Sequence, residues 1–173
     1  LELKPQELQL GFLKFLPGAP VRKMIKPNQY RFQSYPPYEL IAHKDLSAES
    51  VIYLKKFTEV FNRFYNSKRF RFTINHLLKT WKSFDLFDHL LKYTEENNLL
   101  NRSLSLENQY RVFYDAFRIE HDALAVDFLR LDYVYRQQVY RLPPFLQKVP
   151  FGSGGRQKNW SGDKKSPLFS FHH

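Results

Sequence analysis

The sequence predicts a mainly α-helical protein, a bundle of about five helices that follows an extended, strand-like segment. Apolar residues recur at helical spacing between Val51 and Tyr135, which favours amphipathic helices. Serine and asparagine lie where these patterns begin and end, as they do at helix termini. The first twenty residues instead hold a nearly continuous apolar run that ends at Pro17-Gly18, a pattern typical of a strand.

The apolar run occupies residues 8–20. A strand that is apolar on both faces belongs inside a sheet covered on both sides, and the chain shows no second strand of this kind. The sequence therefore predicts that this segment fits a sheet preceding residue 1. A helix is the alternative, because Pro5 suits a first helical turn. Four apolar residues also fall at helical spacing: Leu8, Phe12, Phe15 and Leu16. Gly11 and the Pro17-Gly18 stop favour the strand.

Three divisions of the chain are predicted. Residues 1–46 form the strand and a connector, in which Pro27, Pro36 and Pro37 disfavour helix. Within it, residues 30–34 fit a short edge strand, and residues 36–39 an extended approach to Leu40. Residues 47–148 form the helical domain. Residues 149–173 are rich in Gly, Ser and Lys, which is typical of a flexible basic tail.

Helix termini are predicted from capping residues. Ser47 caps the first helix, which is expected to stop at a left-handed Asn66-Ser67. Ser83 and Ser105 are expected to cap the third and fourth helices, and Pro143-Pro144 ends the fifth, which is either separate from the fourth or continuous with it. The predicted inward residues of helices two to five are Phe70, Ile74, Leu77, Leu78 and Trp81; Phe87, Leu90, Leu91 and Thr94; Leu106, Tyr110, Phe113 and Phe117; and Leu124, Phe128, Leu131 and Tyr135.

Composition narrows the possible functions. The 173 residues suffice for one ordinary domain, and 17 Phe, 11 Tyr and 2 Trp provide ample core material. No apolar run approaches the roughly 20 residues that span a bilayer, and no signal peptide is visible, so a cytoplasmic protein with no membrane partner is expected. The absence of Cys excludes disulfides, iron–sulfur ligation and a cysteine nucleophile within the chain. The net charge of +10 favours anionic partners, although a basic tail that only aids solubility is the alternative.

Catalytic and metal-binding motifs are sparse. No Gly-rich phosphate loop or His-Glu-x-x-His sequence occurs. Asp85, Asp88 and His89 can share a helix face, but a metal would need further ligands, and a solvated helix start explains the same residues. Glu120-His121-Asp122 point about 100° apart on a helix and cannot converge on one ion. The sequence therefore predicts no catalytic residue, cofactor-binding residue or metal ligand in this chain; a metal hydrolase built on residues 85–89 is the least favoured alternative.

The most suggestive cluster lies at residues 63–72, where four cations alternate with aromatic residues. The cations are Arg63, Lys68, Arg69 and Arg71. Cations neutralise phosphates and exposed aromatic rings stack on unpaired bases, which predicts a surface for RNA or another polyanion. The competing interpretation, favoured by the helical spacing of Phe64 and Phe70, places those rings and Phe72 in the core and leaves only the cations outside.

Five motifs occur in order along residues 1–148. They are residues 8–20, Pro36-Pro37-Tyr38-Glu39, Tyr65-Asn66-Ser67 with Arg69-Phe70, Leu131-Asp132-Tyr133, and Leu142-Pro143-Pro144-Phe145. This ordered set resembles the C-terminal region of bacterial cobalamin-binding radical S-adenosylmethionine (radical SAM) proteins. In that family the region is a domain of unknown function appended to the radical enzyme core.

The resemblance implies a parent enzyme, similar to a methyltransferase, with a cobalamin-binding domain and a central partial barrel that holds a [4Fe–4S] cluster and uses S-adenosylmethionine. Residues through Pro20 would be the last barrel strand and its exit turn. The usual Gly-Thr-Pro of that turn is Gly18-Ala19-Pro20 here, so the Thr hydroxyl is lost. Because the three-cysteine motif and the Asp-x-His-x-x-Gly cobalamin motif are missing from this chain, the resemblance places all three cofactors upstream.

Two functions are therefore expected. The first is a non-catalytic accessory domain that packs on the radical SAM barrel of the same polypeptide and helps to shape or shield its substrate site. The second is a module that binds an anionic substrate or RNA, and the two are compatible if the substrate is an RNA. The candidate interaction residues are Gly18, Pro20, Tyr38, Arg63, Lys68, Arg69 and Arg71.

Overall fold

A computed structural model describes residue 5, residues 7–137 and residues 141–147, and shows the mainly helical protein that the sequence predicts. The predicted basic tail lies outside these described residues. The helices are α1 (Ile25–Asn28), α2 (Ala48–Phe61), α3 (Arg71–Leu77), α4 (Ser83–Glu96), α5 (Leu106–Ala116), α6 (Ala123–Gln137) and α7 (Pro144–Gln147). The strands are β1 (Arg31–Phe32) and β2 (Leu40–Ala42), which pair in an antiparallel way.

Aromatic rings fill the core between the helices. Phe64, Phe70, Tyr110 and Phe113 are all fully buried. The ring of Phe70 stacks on Phe113 with centroids 4.5 Å apart and lies 4.6 Å from that of Tyr110. Because each ring removes a large apolar area from water, this cluster joins α2, α3 and α5 into one core.

The first helix begins as predicted but ends differently. The Ser47 side chain accepts a hydrogen bond from the Ser50 amide at 3.2 Å, which caps α2. The predicted left-handed stop at Asn66-Ser67 is wrong, because α2 runs into a π-helical turn, Asn62–Asn66, and Ser67 keeps right-handed geometry. The left-handed residue is Lys68, at φ 59°.

Of the predicted termini of the later helices, the cap at Ser105 is confirmed and the cap at Ser83 is wrong. Ser105 caps α5 by accepting from the Asn108 amide at 3.3 Å. Ser83 is instead the first residue of α4, whose N-cap is Lys82, with no side-chain capping bond. The second helix also stops at Leu77, so Trp81 lies beyond it. Helices α5 and α6 are separate, since Arg118 is left-handed and a 3-10 turn, Ile119–His121, follows.

The predicted inward face of the fifth helix is wrong. Leu124 is 61% exposed and Tyr135 is 70% exposed, while Arg130 and Asp132 are buried. The apolar residues that do face the core are Ala125, Val126 and Leu129. The apolar spacing on α6 fits either of two faces. The buried face is the one that carries Arg130 and Asp132, whose side chains bond α7 and α3.

The connector forms a hairpin instead of the predicted extended approach to Leu40. The predicted edge strand exists, since Arg31 pairs with Ala42 and Phe32 with Leu40. Between the two strands the chain reverses through a turn in which the Pro36–Pro37 peptide bond is cis and Tyr38 has φ 57°. The left-handed backbone at Tyr38 turns the chain back along β1.

Candidate interaction surfaces

Residues 5 and 7–16, here called the N-terminal segment, contain no helical residue, so the helical alternative for this stretch is wrong. Residues 13–15 lie beside the start of β2. Lys14 bridges Glu39 in antiparallel register. The Phe15 amide donates to the Tyr38 carbonyl at 2.8 Å, and the Leu40 amide donates to the Leu13 carbonyl at 2.9 Å. These bonds make the N-terminal segment the outer neighbour of β2, on the side away from β1.

Phe15 anchors the N-terminal segment by its side chain. Its ring is fully buried and stacks on Phe32 at a centroid separation of 4.5 Å, with Tyr30 at 5.1 Å. Arg22 donates two hydrogen bonds to the Phe15 carbonyl, at 2.7 and 3.0 Å, and places its guanidinium over the Phe32 ring. One residue of the apolar run therefore has a full set of partners inside this chain.

Two adjacent side chains at the end of α2 hold the start of the segment. The Tyr65 hydroxyl donates to the Pro5 carbonyl at 2.5 Å. The Asn66 carboxamide accepts from the Leu8 amide at 3.1 Å and donates to the Leu8 carbonyl at 2.9 Å. A carboxamide has both an N–H donor and a carbonyl acceptor, so Asn66 bonds Leu8 as the backbone of a neighbouring strand would.

The N-terminal segment carries four leucine side chains that the described residues cover only in part. They are Leu8, Leu10, Leu13 and Leu16, which are 37%, 39%, 39% and 52% exposed. In the antiparallel bridge with Glu39, the amide and carbonyl of Lys14 point away from β2. Within the described residues, the Lys14 amide and carbonyl therefore form an unpaired edge, with partly exposed leucines before and after it in the sequence, a combination that natural proteins usually cover.

A polar groove of about 550 Å³ runs beside the same segment, where it meets the end of α2. The residues that line it are Glu7, Gln9, Leu10, Asn62, Asn66 and Ser67. Asn62 and Asn66 already bond each other at 2.6 Å, so part of the polar lining is satisfied. The groove is a feature of the segment's attachment and shows no convergent set of charged groups.

Gly18, Pro20 and Tyr38 lie around the exit of the segment. Gly18 has φ +78° in the turn after Leu16, a backbone conformation that favours glycine. Pro20 begins a 3-10 turn, Pro20–Met24. The Tyr38 carbonyl binds the segment, and its ring lies 5.9 Å from the Arg22 guanidinium. All three positions shape the path of the chain here, and the structure shows no further group gathered around them.

The cation cluster at residues 63–72 does not form one surface. Arg63 donates to the carbonyls of Leu99 (3.1 Å) and Leu100 (2.8 Å) and to Glu59 (2.7 Å), so it closes the loop after α4. Arg69 donates to Gln109 at 2.9 Å. Lys68 and Arg71 are exposed.

Two aromatic members of that cluster belong to the core, as the competing interpretation predicts, but Phe72 does not. Phe64 and Phe70 are fully buried, whereas Phe72 is half-buried against the exposed Tyr135 and lies outside the core cluster. Phe64 and Phe70 therefore cannot stack on bases, and an anion bound here would be held mainly by the exposed cations.

The candidate metal ligands on α4 are engaged separately. Asp88 accepts from the Tyr53 hydroxyl at 2.6 Å and from Lys92 at 2.8 Å, and His89 donates to the Ala116 carbonyl at 2.7 Å. Burial alone would raise the pKa of Asp88, but the bonds from Lys92 and Tyr53 outweigh it and hold this pKa below its usual value. Among the described residues, no three metal-ligating side chains come together.

His121 and Asp122 also have separate partners. His121 lies 3.6 Å from Glu120, whereas Asp122 accepts from His76 at 2.8 Å. The other Asp122 oxygen accepts from the Ala125 amide at 3.1 Å and caps α6. His121 thus pairs with its neighbour Glu120, whereas Asp122 turns to His76 and to the start of α6.

Two buried polar residues on α6 were missed by the sequence reasoning. Asp132 is 1% exposed and accepts from the amides of Phe72 (3.0 Å) and Thr73 (2.8 Å) at the start of α3, and from the Thr73 hydroxyl (2.8 Å). Burial raises the pKa of Asp132, and these donors offset the rise only in part. Arg130 donates twice to the Leu146 carbonyl, at 2.9 and 2.6 Å, and fastens α7. A charged residue inside an apolar helical stretch is the sequence signal that points to such a contact.

The fold and these surfaces define a helical domain with an attached, half-covered edge strand. The chain belongs to the family described as "Protein of unknown function (DUF4080)", whose model matches residues 28–164. No curated protein and no solved structure matches the chain. In the part of the chain that the structure describes, no helix has the length and apolarity needed to cross a membrane.

Proposed function

We propose that this chain is a non-catalytic accessory domain of a cobalamin-dependent radical SAM enzyme. In this proposal it packs on the barrel of the same polypeptide through the N-terminal segment and helps to shape or shield the substrate site. The observation that supports it is the unpaired edge at Lys14, flanked by exposed leucines such as Leu10 and Leu16. A neighbouring strand would satisfy the edge and remove the leucines from water.

The motif residues of the family resemblance agree with this proposal. Tyr38, Tyr65 and Asn66 all bond the N-terminal segment. Three of the positions that carry the resemblance thus bond the segment, and two of them, Tyr65 and Asn66, join it to the helical domain. A domain whose task is to hold a barrel strand in place would need these contacts.

The cofactors of the parent are proposed to bind upstream of this chain. The parent would use a [4Fe–4S] cluster, S-adenosylmethionine and cobalamin, in the cytoplasm. No residue of this chain is assigned to them, since it has no Cys and its described His, Asp and Glu side chains do not converge. The part proposed for this chain is to exclude water and to position neighbouring elements.

Hydrogen exchange at two adjacent amides tests the proposal. The Lys14 amide, which points outward, is expected to exchange fast in the 173-residue chain and slowly in the full-length polypeptide. The Phe15 amide, bonded to the Tyr38 carbonyl, is the internal control and is expected to be protected in both. Mass spectrometry with electron-transfer fragmentation resolves the two amides. Equal exchange of Lys14 in both proteins, or an upstream reading frame without a three-cysteine motif, contradicts the proposal.

Polyanion binding is the second candidate. It is favoured by the net charge of +10 and by the exposure of Lys68 and Arg71. The burial of Phe64 and Phe70 limits it to an electrostatic mode without base stacking on those rings.

A further inference from the structure

A second apolar surface lies on α6. It consists of Leu124, Phe128, Leu131 and Tyr135, here called the α6 face. Leu124, Leu131 and Tyr135 are 61%, 44% and 70% exposed, and Phe128 is half-buried. Single exposed apolar residues are ordinary, but four in register along one helix form a continuous stripe. This stripe spans about 16 Å of helix at 1.5 Å per residue.

The α6 face continues onto α3. The Tyr135 ring meets Phe72 edge-on at 6.1 Å, and the Phe128 ring lies 5.2 Å from His76. Residues 72 and 76 are one turn apart, so the α6 face borders the same side of α3 at two points. Asp132 fixes the position of α3 against α6 by capping it.

The spacing of the α6 face indicates a helical occupant. Residues 124, 128, 131 and 135 follow the four-three-four spacing of a coiled-coil seam, in which each side chain fits between those of a facing helix. A strand or an irregular loop would match only part of this repeat, whereas an amphipathic helix matches its whole length.

The charged residues of α3 beside the α6 face indicate which charge a bound helix would carry. Arg71 begins α3 and Lys79 follows its end; both are exposed, and in the described part of the chain neither side chain pairs with a carboxylate. Asp127, on the opposite side of the α6 face, is already paired with Arg130 at 2.8 Å. The uncompensated charge is therefore positive and lies on the α3 side.

We propose that the α6 face is a docking site for an amphipathic helix of a partner protein, with an apolar stripe and acidic residues along the flank that faces α3. This inference does not depend on the proposed role of the N-terminal segment, because the two surfaces share no residue. It gives the domain a second, independent contact.

Three synthetic helical peptides of about three heptads provide the probes. The first has Leu at the a and d positions and Glu at the e and g positions; the second replaces each Glu by Lys; the third scrambles the first. Fluorescence anisotropy with the 173-residue chain measures their affinities. The Glu peptide is expected to bind at least tenfold more tightly than either of the others, because only it matches both the stripe and the charge.

Variants locate the site. Leu131→Glu is expected to weaken the Glu peptide at least tenfold, since it places a carboxylate in the seam. If Leu131→Glu fails to fold, Tyr135→Glu replaces it at a position that is 70% exposed. Arg71→Glu is expected to weaken binding up to about fivefold. Lys44→Glu, an equal charge change at an exposed site in the connector, is the control and is expected to have no effect.

Four results would overturn the inference. Equal binding of the scrambled peptide would show a general charge effect, and insensitivity to Leu131→Glu would place the site elsewhere. Sedimentation that reveals a dimer lost in Leu131→Glu would make a second copy the occupant. Failure of the chain to bind any peptide, with the Leu131 side chain protected from solvent, would mean that another part of the chain covers the face.

Discussion

At the scale of single residues, buried polar side chains connect the helices of this protein. Asp132 on α6 caps α3, Arg130 on α6 holds α7, and Arg63 after α2 closes the loop after α4. Each satisfies backbone groups that would otherwise be buried without partners. They act as specific connectors within a core that is otherwise held by non-directional aromatic packing.

The Asp132 cap leads to a stability prediction. Asp132→Asn keeps the size of the side chain but sets an NH₂ group against the amide or hydroxyl donors of α3. We expect the free energy of unfolding to fall by about 1–3 kcal/mol, as for other buried hydrogen bonds that lose a partner. Urea denaturation followed by circular dichroism measures this. The control Glu96→Gln, an exposed carboxylate on α4, should change stability by less than about 0.5 kcal/mol; equal effects of the two variants would contradict the prediction.

Asp122 leads to a prediction of pH dependence. Burial would raise its pKa, but bonds from His76 and from the Ala125 amide outweigh burial and lower it below the ordinary value. A carboxyl whose pKa is lower when folded stabilises the protein above its unfolded pKa and loses that contribution as the pH falls through the folded pKa. The urea midpoint of wild type should therefore exceed that of Asp122→Asn at neutral pH, and the gap should narrow below about pH 4. A gap that stays constant on acidification would refute this.

At the scale of elements, the N-terminal segment and α6 illustrate the same problem. Each has apolar residues on more than one side, and the packing covers only some of them. In the segment Phe15 is buried while Leu16 is 52% exposed, and in α6 Leu129 is buried while Leu131 is 44% exposed. These two elements are therefore where contacts beyond the described residues are expected.

Phe15 is expected to carry most of the attachment of the N-terminal segment. Phe15→Ala removes the ring that stacks on Phe32 and should lower the free energy of unfolding by about 3–5 kcal/mol. Leu16→Ala, its exposed neighbour, should cost no more than about 0.5 kcal/mol. Thermal and urea denaturation of the two variants make the comparison. Similar losses for both would mean that the segment is not anchored at Phe15.

At the scale of the whole molecule, the cations of residues 63–72 and their buried aromatic rings lie in different places. The net charge of +10 belongs to side chains at the surface and in the tail sequence, whereas Phe64 and Phe70 of the 63–72 cluster turn inward. The positive charge therefore attracts anions. Phe64 and Phe70, however, are not exposed and cannot stack on the bases of a single strand.

Single-stranded RNA tests this separation. Binding is expected to weaken steeply as salt increases, because it arises from counterion release. Phe72→Ala, which removes a half-buried ring of the cluster, should leave affinity within about twofold, whereas the loss of a stacked base would cost about 1–3 kcal/mol. Anisotropy titrations at several salt concentrations measure both effects. A loss of tenfold or more in Phe72→Ala would restore base stacking as part of the mechanism.

Only some of the candidate interaction residues could be placed from the sequence. The exposed positions Lys68 and Arg71 could be predicted, because long cations in polar surroundings stay in water. The bonds from Arg63 to the carbonyls of Leu99 and Leu100 could not, since these acceptors lie 36 and 37 residues along the chain. The hydrogen bond from Asn66 to Leu8 joins residues 58 positions apart, and local sequence patterns could not predict it either.

The sequence by itself determined the helical class and the serine caps at Ser47 and Ser105, because these depend on neighbours within a few turns. The inward position of Phe64 and Phe70 follows from the same local helical spacing. Only the tertiary structure decided which face of α6 is buried, since that choice rests on Asp132 meeting α3 and Arg130 meeting α7. Local periodicity records how apolar residues are spaced, but burial of a charge depends on partners that long-range folding brings within hydrogen-bond distance.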